Sequence, residues 1–181
     1  MDARNEVLEA FDSLEFRRTQ LEVRLNKMDD HLFFIPQGDG KWSINQVLAH
    51  LSNSEFGTLR YIQKKMLGID SLKETSFGAQ LRAKLLKLLL DSQIRFRMPK
   101  QLPEPSKEIG YDELKNQFAK NRMAIKELIE TFPEEHLEKL IFRHPFAGRF
   151  SLYQTIVFLE DHYNHHIKQI DRIIEVVENR G

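Results

Sequence analysis

Residues 151–179 read SLYQTIVFLEDHYNHHIKQIDRIIEVVEN, and the fold follows from them. Leu152, Ile156, Leu159, Tyr163, His166, Ile170, Ile173 and Val177 recur at intervals of three or four, which places them along one face of a helix. Ser151 stands where an N-cap belongs, so the spacing predicts a helix from there to about Asn179. A helix of this length with one apolar stripe must bury that stripe against partners of similar length.

Three such partners lie upstream. The first runs from about Ala3 to Met28, with Val7, Phe11, Leu14, Leu21 and Leu25 on one face and Arg18 in the gap. Phe33-Phe34-Ile35-Pro36 and Gly38-Asp39-Gly40 break it. The second is capped by Ser43 and reaches about Gly68, with the stripe Val47, Leu51, Ser54, Thr58, Ile62 and Met66. Trp42 precedes the cap and is placed to staple against Gln46 or Val47. The third runs from about Tyr111 to Phe132, with Leu114, Phe118, Met123, Ile125, Leu128 and Ile129 inward, and Pro133 stops it.

Between the second and third helices lies a connection over 69–110, too long for a bare loop. Its middle, Gly78 to Ser92, reads as a helix, and its end is extended around Pro99, Pro103 and Pro105. Residues 136–148 are expected to be irregular or briefly extended, and no strand shows a period of two. The expectation is a single all-α domain over 1–181: a four-helix bundle with one long helical crossover between helices two and three.

Composition narrows the function. Lys and Arg number 27 against 27 Asp and Glu, so a dedicated nucleic-acid binder is disfavoured. With no cysteine, disulfides, thiolate nucleophiles and Cys-based zinc motifs are all excluded. The opening MDARNEVLEAF carries acids and no apolar core, unlike a secretory signal, and no apolar run approaches the ~20 residues of a membrane span, so a cytoplasmic setting is expected.

Any bound metal must then be held by histidine and carboxylate. His162 and His166 lie four apart on one helix face and can point at one ion, whereas His165 is turned roughly 100° from His166. A catalytic site of the zinc type needs three protein ligands. The best third is His50, beside Val47 and Leu51 on the second helix; His31, His136 and His144 fall in loops or helix ends. Partly buried histidines at a core edge show the same spacing, so spacing alone leaves both readings open.

The motifs around these residues say more. Residues 42–51, WSINQVLAHL, resemble the W-S-x-x-x-x-L-x-H-L start of the second helix in the DinB-like (YfiT-like) superfamily of metal-dependent enzymes. Residues 162–170, HYNHHIKQI, are similar to that superfamily's H-x-x-H-H-x-x-Q-I, and His144-Pro145 with Gly148 and Ser151 resemble its H-P-x-x-G-x-x-S. The order agrees along nearly the whole chain. The resemblance implies an up-down-down-up bundle and carries the family's metal triad onto His50, His162 and His166. His165 matches the middle histidine, which is not usually a ligand, and Gln169 the trailing glutamine. Where many members have Arg-Gly before that glutamine, Ile167-Lys168 stand here, so the subfamily, and with it the substrate, stays open.

Characterised relatives include transferases that join low-molecular-weight thiols to electrophiles and a thiol-dependent maleylpyruvate isomerase. The resemblance therefore implies a hydrolase or thiol transferase using a divalent transition metal, zinc or nickel foremost, on a small-molecule substrate. The alternative is a non-catalytic metal-binding or stress-response module. Because the chain lacks cysteine, any thiol must arrive with the substrate. Gln46, Ser54 and Glu55 are candidates to orient His50; Glu55 and Glu160 lie near the triad in sequence, and neither is assigned as a base. Arg82 to Lys100 holds six basic residues against Asp91, among many leucines. It is read as a crossover helix with a solvated basic face rather than a membrane or nucleic-acid contact, and its apolar surplus as a mark of a homodimer contact.

Overall fold

The computed structural model describes residues 2–92 and 104–178. Among the described residues five α-helices carry the fold: α1 (Ala3–Leu25), α2 (Ile44–Met66), α3 (Phe77–Asp91), α4 (Tyr111–Thr131) and α5 (Leu152–Glu178). Local chemistry sets their starts. Asp2 accepts from the Arg4 N–H ahead of α1, and Ser43 and Gln46 form a reciprocal capping box ahead of α2. Ser151 and Gln154 exchange the same pair of bonds at the start of α5.

Cross-helix hydrogen bonds fix the directions. Ser13 donates to Glu160 (2.7 Å) and Arg24 pairs with Asp171, so α1 and α5 run parallel. Arg4 donates to the carbonyls of Ile129 and Phe132 (2.7 Å each) and Arg122 to Glu15 (2.9 Å), so α1 and α4 are antiparallel. Asn121 donates to the Ser52 carbonyl (2.9 Å) and Arg122 to Glu55, so α2 and α4 are parallel. The four long helices are thus up, down, down, up, the arrangement a long crossover between α2 and α4 permits.

The core is the meeting of the four stripes: Val7, Phe11, Leu14 and Leu21 of α1, Val47, Leu51 and Ile62 of α2, Leu114, Ile125 and Ile129 of α4, and Leu152, Ile156, Tyr163 and Ile170 of α5 are all buried. Met123 is a correction, since it is 74% exposed while Arg122 is 2% exposed. Residues 118, 122, 125 and 129 keep the inward spacing, and position 123 lies 100° further round. Arg122 is tolerated inside because Nε and Nη2 donate to both oxygens of buried Glu55 (2.9 and 2.6 Å), Nη1 donates to Glu15, and the guanidinium lies 5.6 Å from the Tyr163 ring centroid. Burial raises the Glu55 carboxyl, and the facing guanidinium opposes that rise. Arg18, the gap in the first stripe, pairs with Glu15 and Glu22.

The crossover helix α3 lies on α5, with Leu86 and Leu90 buried beneath it. Of the basic segment, residues 93–100 lie outside the described residues, as do Pro99 and Pro103. The stretch expected to be irregular or briefly extended is extended in a short hairpin that continues just past it, β1 (Phe142–His144) and β2 (Gly148–Phe150), paired Phe142↔Phe150, Arg143↔Arg149 and His144↔Gly148. Three-residue strands are too short for period-two patterning to register. Gly148 (φ +85°) supplies the left-handed turn conformation.

Candidate metal centre

Antiparallel packing of α2 on α5 brings His50 opposite His162 and His166. His162 Nε2 lies 3.2 Å from His50 Nε2 and 3.2 Å from His166 Nε2. One ligand-capable nitrogen from each of the three lies within 4.8 Å of the others, the only such group among the described residues. Two imidazole nitrogens bound tetrahedrally at ~2.0–2.1 Å to one ion sit about 3.3 Å apart, so this spacing suits a common ion.

Protonation agrees with that use. Burial lowers His50 to about 4 and His166 to about 3. Burial also takes His162 well below its ordinary value, and the neighbouring His166 and His50 push it the same way. All three rings are therefore neutral near pH 7, the form that binds a metal. Gln169 Oε1, an acceptor only, lies 2.8 Å from His166 Nδ1. The proton consequently sits on Nδ1, and Nε2 faces the triad with a bare lone pair. The donor set fits a divalent transition ion.

The surroundings are mostly aromatic. Trp42, just ahead of the α2 cap, lies 5.2 Å from the His50 ring further along the same helix, and Phe158 stacks on His162 at 5.6 Å with an 18° interplanar angle. Phe158 also lines a cavity of about 400 Å³ beneath α3, bounded by Leu86, Leu90, Val157, Lys87 and Asp161. Lys87 bonds Asp161 at 2.6 Å, and His165 Nδ1 meets the Leu90 carbonyl at 2.9 Å, so α3 is tied to α5 on either side of His162. His165 is thus turned away from the triad, as the 100° step required.

Of the groups expected to orient His50, Gln46 is committed to the capping box, Ser54 donates to the His50 backbone carbonyl (2.8 Å), and Glu55 is held by Arg122. Glu160 accepts from Ser13 and pairs with Arg17 on α1. Neither carboxylate faces the triad. His144, ranked among ordinary loop histidines, is buried: its Nδ1 accepts from the Phe146 and Ala147 N–H groups (3.2 and 3.1 Å), and its ring packs on Phe158 (4.7 Å). His136 faces Asp70 (3.1 Å) and His31 is exposed. Phe158 and the α3 ties carry no sequence signal of their own; His144 was marked only by its motif.

No curated protein sequence matches the chain. Among solved structures, the fold is similar to YfiT from Bacillus subtilis, described as a probable metal-dependent hydrolase with an unusual four-helix bundle topology. The identity is 20%, covering 93% of this chain and 86% of that one, with a TM-score of 0.59. It is also similar to TT2238, a four-helix bundle protein, at 18% identity, covering 90% and 98%, with a TM-score of 0.55. A sequence profile of the DinB superfamily matches residues 13–170, and the chain belongs to the DinB superfamily.

Proposed function

We propose that this protein is a metal-dependent hydrolase acting on a small-molecule substrate, with His50, His162 and His166 as the metal ligands. The observation that carries the proposal is the convergence of three neutral imidazoles, one ligand-capable nitrogen of each within 4.8 Å of the others. The likeness to YfiT, described as a probable metal-dependent hydrolase, points the same way. His50, His162 and His166 would hold a divalent ion, zinc and nickel foremost, which would supply Lewis acidity and bring the ionisation of a bound water or thiol towards neutral pH.

The chain's own residues bind and orient. Gln169 fixes the His166 tautomer, while Trp42 and Phe158 pack against His50 and His162 and limit water around them. Glu55 and Glu160 are spent on salt bridges, so no carboxylate is assigned as proton acceptor. The absence of cysteine favours one second reading, transfer of a substrate thiol to an electrophile, because the chain has no thiol to compete for the ion. The test is turnover of an ester, amide and thiol–electrophile panel by zinc- and nickel-loaded protein, with His50→Ala as control. Hydrolysis lost in the variant is expected; thiol conjugation alone supports the second reading; activity unchanged in His50→Ala refutes both.

A further inference from the structure

The outer face of α3 carries Phe77, Leu81, Leu85, Leu88 and Leu89, exposed by between 43% (Leu89) and 81% (Phe77). At 100° per residue these five fall within one 120° arc, a continuous stripe some 18 Å long. The stripe cannot turn inward, because Leu86 and Leu90 already pack against the bundle, Lys87 is bonded to Asp161 and the Leu90 carbonyl to His165. A fully exposed large apolar side chain offers on the order of 150–200 Å², so roughly 500 Å² is left in water, towards the upper end for a monomer's largest patch.

We infer that this stripe is the contact between two copies of the chain, packed antiparallel about a two-fold axis near Leu81 and Leu85. Two such faces together remove roughly 1,000 Å², the lower bound for a specific interface, and being apolar throughout they are self-complementary. Formal charges of 27 and 27 leave no net repulsion between copies. A lipid surface fits less well. Of the three cations between Phe77 and Leu90, Arg82 donates to the Ala147 carbonyl and Lys87 pairs with Asp161, which leaves Lys84 to meet an anionic layer.

Sedimentation velocity on the full metal-loaded chain tests this. The wild type is expected at twice 21.4 kDa, and Leu85→Glu/Leu88→Glu at 21.4 kDa, with at least a 100-fold rise in dimer Kd and unchanged helicity and metal content. Because the chain has no cysteine, Leu85→Cys provides a second readout: a short bismaleimide should join two chains through it, and should not do so through Met123→Cys on α4. A wild type that stays at 21.4 kDa at high micromolar concentration overturns the inference, as does a dimer that survives the double substitution. So does a monomer that co-sediments with phosphatidylserine vesicles.

Discussion

Gln169→Leu probes the arrangement of the triad without touching a ligand. It keeps the volume of the side chain and removes the 2.8 Å hydrogen bond that holds the proton on His166 Nδ1. His166 can then place its proton on Nε2, where it opposes the ion, and the ring loses its orientation. Loss of such a supporting partner costs ~10–100-fold in metal affinity, about 1.4–2.7 kcal/mol. Competition against a fluorescent zinc chelator at neutral pH reads this directly. Gln169→Glu should do the opposite, because a carboxylate accepts the same proton more strongly and raises the basicity of Nε2. Affinity equal to wild type in both variants would refute the tautomer argument, since the hydrogen bond would then be incidental.

Other outcomes follow from the same geometry. Arg122→Met leaves Glu55 buried without its partner and should destabilise by ~3–5 kcal/mol in urea unfolding, whereas Arg122→Met/Glu55→Met should recover most of that loss. Burial lowers His144 from 6.5 to about 4, so the unfolded chain binds more protons between those values and stability falls as pH drops through that window. Its share is about 2 kcal/mol between pH 6.5 and 5, and a urea-unfolding comparison of metal-free wild type with His144→Gln should show the variant's stability flatter by that amount. Substituting Lys87 with Met removes its ion pair to Asp161 and loosens α3; faster backbone amide exchange in α3 than in α4 is expected, and unchanged exchange would count against the α3 tie.

Much of this was legible before any coordinates. Four stripes at helical spacing define four helices, and the long link between the second and third permits the up-down-down-up order. Spacing pairs His162 with His166, and a place beside Val47 and Leu51 makes His50 the best third, but only the WSINQVLAHL and HYNHHIKQI motifs favour a metal triad over ordinary core-edge histidines. What stayed hidden depends on contacts between distant residues. Arg122 reads as surface until Glu55 and Glu15 appear beside it, and Met123 then yields the inward position. His144 reads as a loop residue because its two partners are backbone N–H groups within its own turn. Glu55 carries no assigned role in the sequence, and in space it is a buried partner of Arg122.

The most direct test is the metal content of the purified chain. Reconstituted with zinc or nickel and desalted, the wild type should carry close to one ion per chain by elemental analysis, and His162→Ala, which removes the nitrogen 3.2 Å from both others, should carry none while keeping its helicity. A wild type that retains no metal, or a His162→Ala variant that retains it fully, contradicts the three-histidine centre.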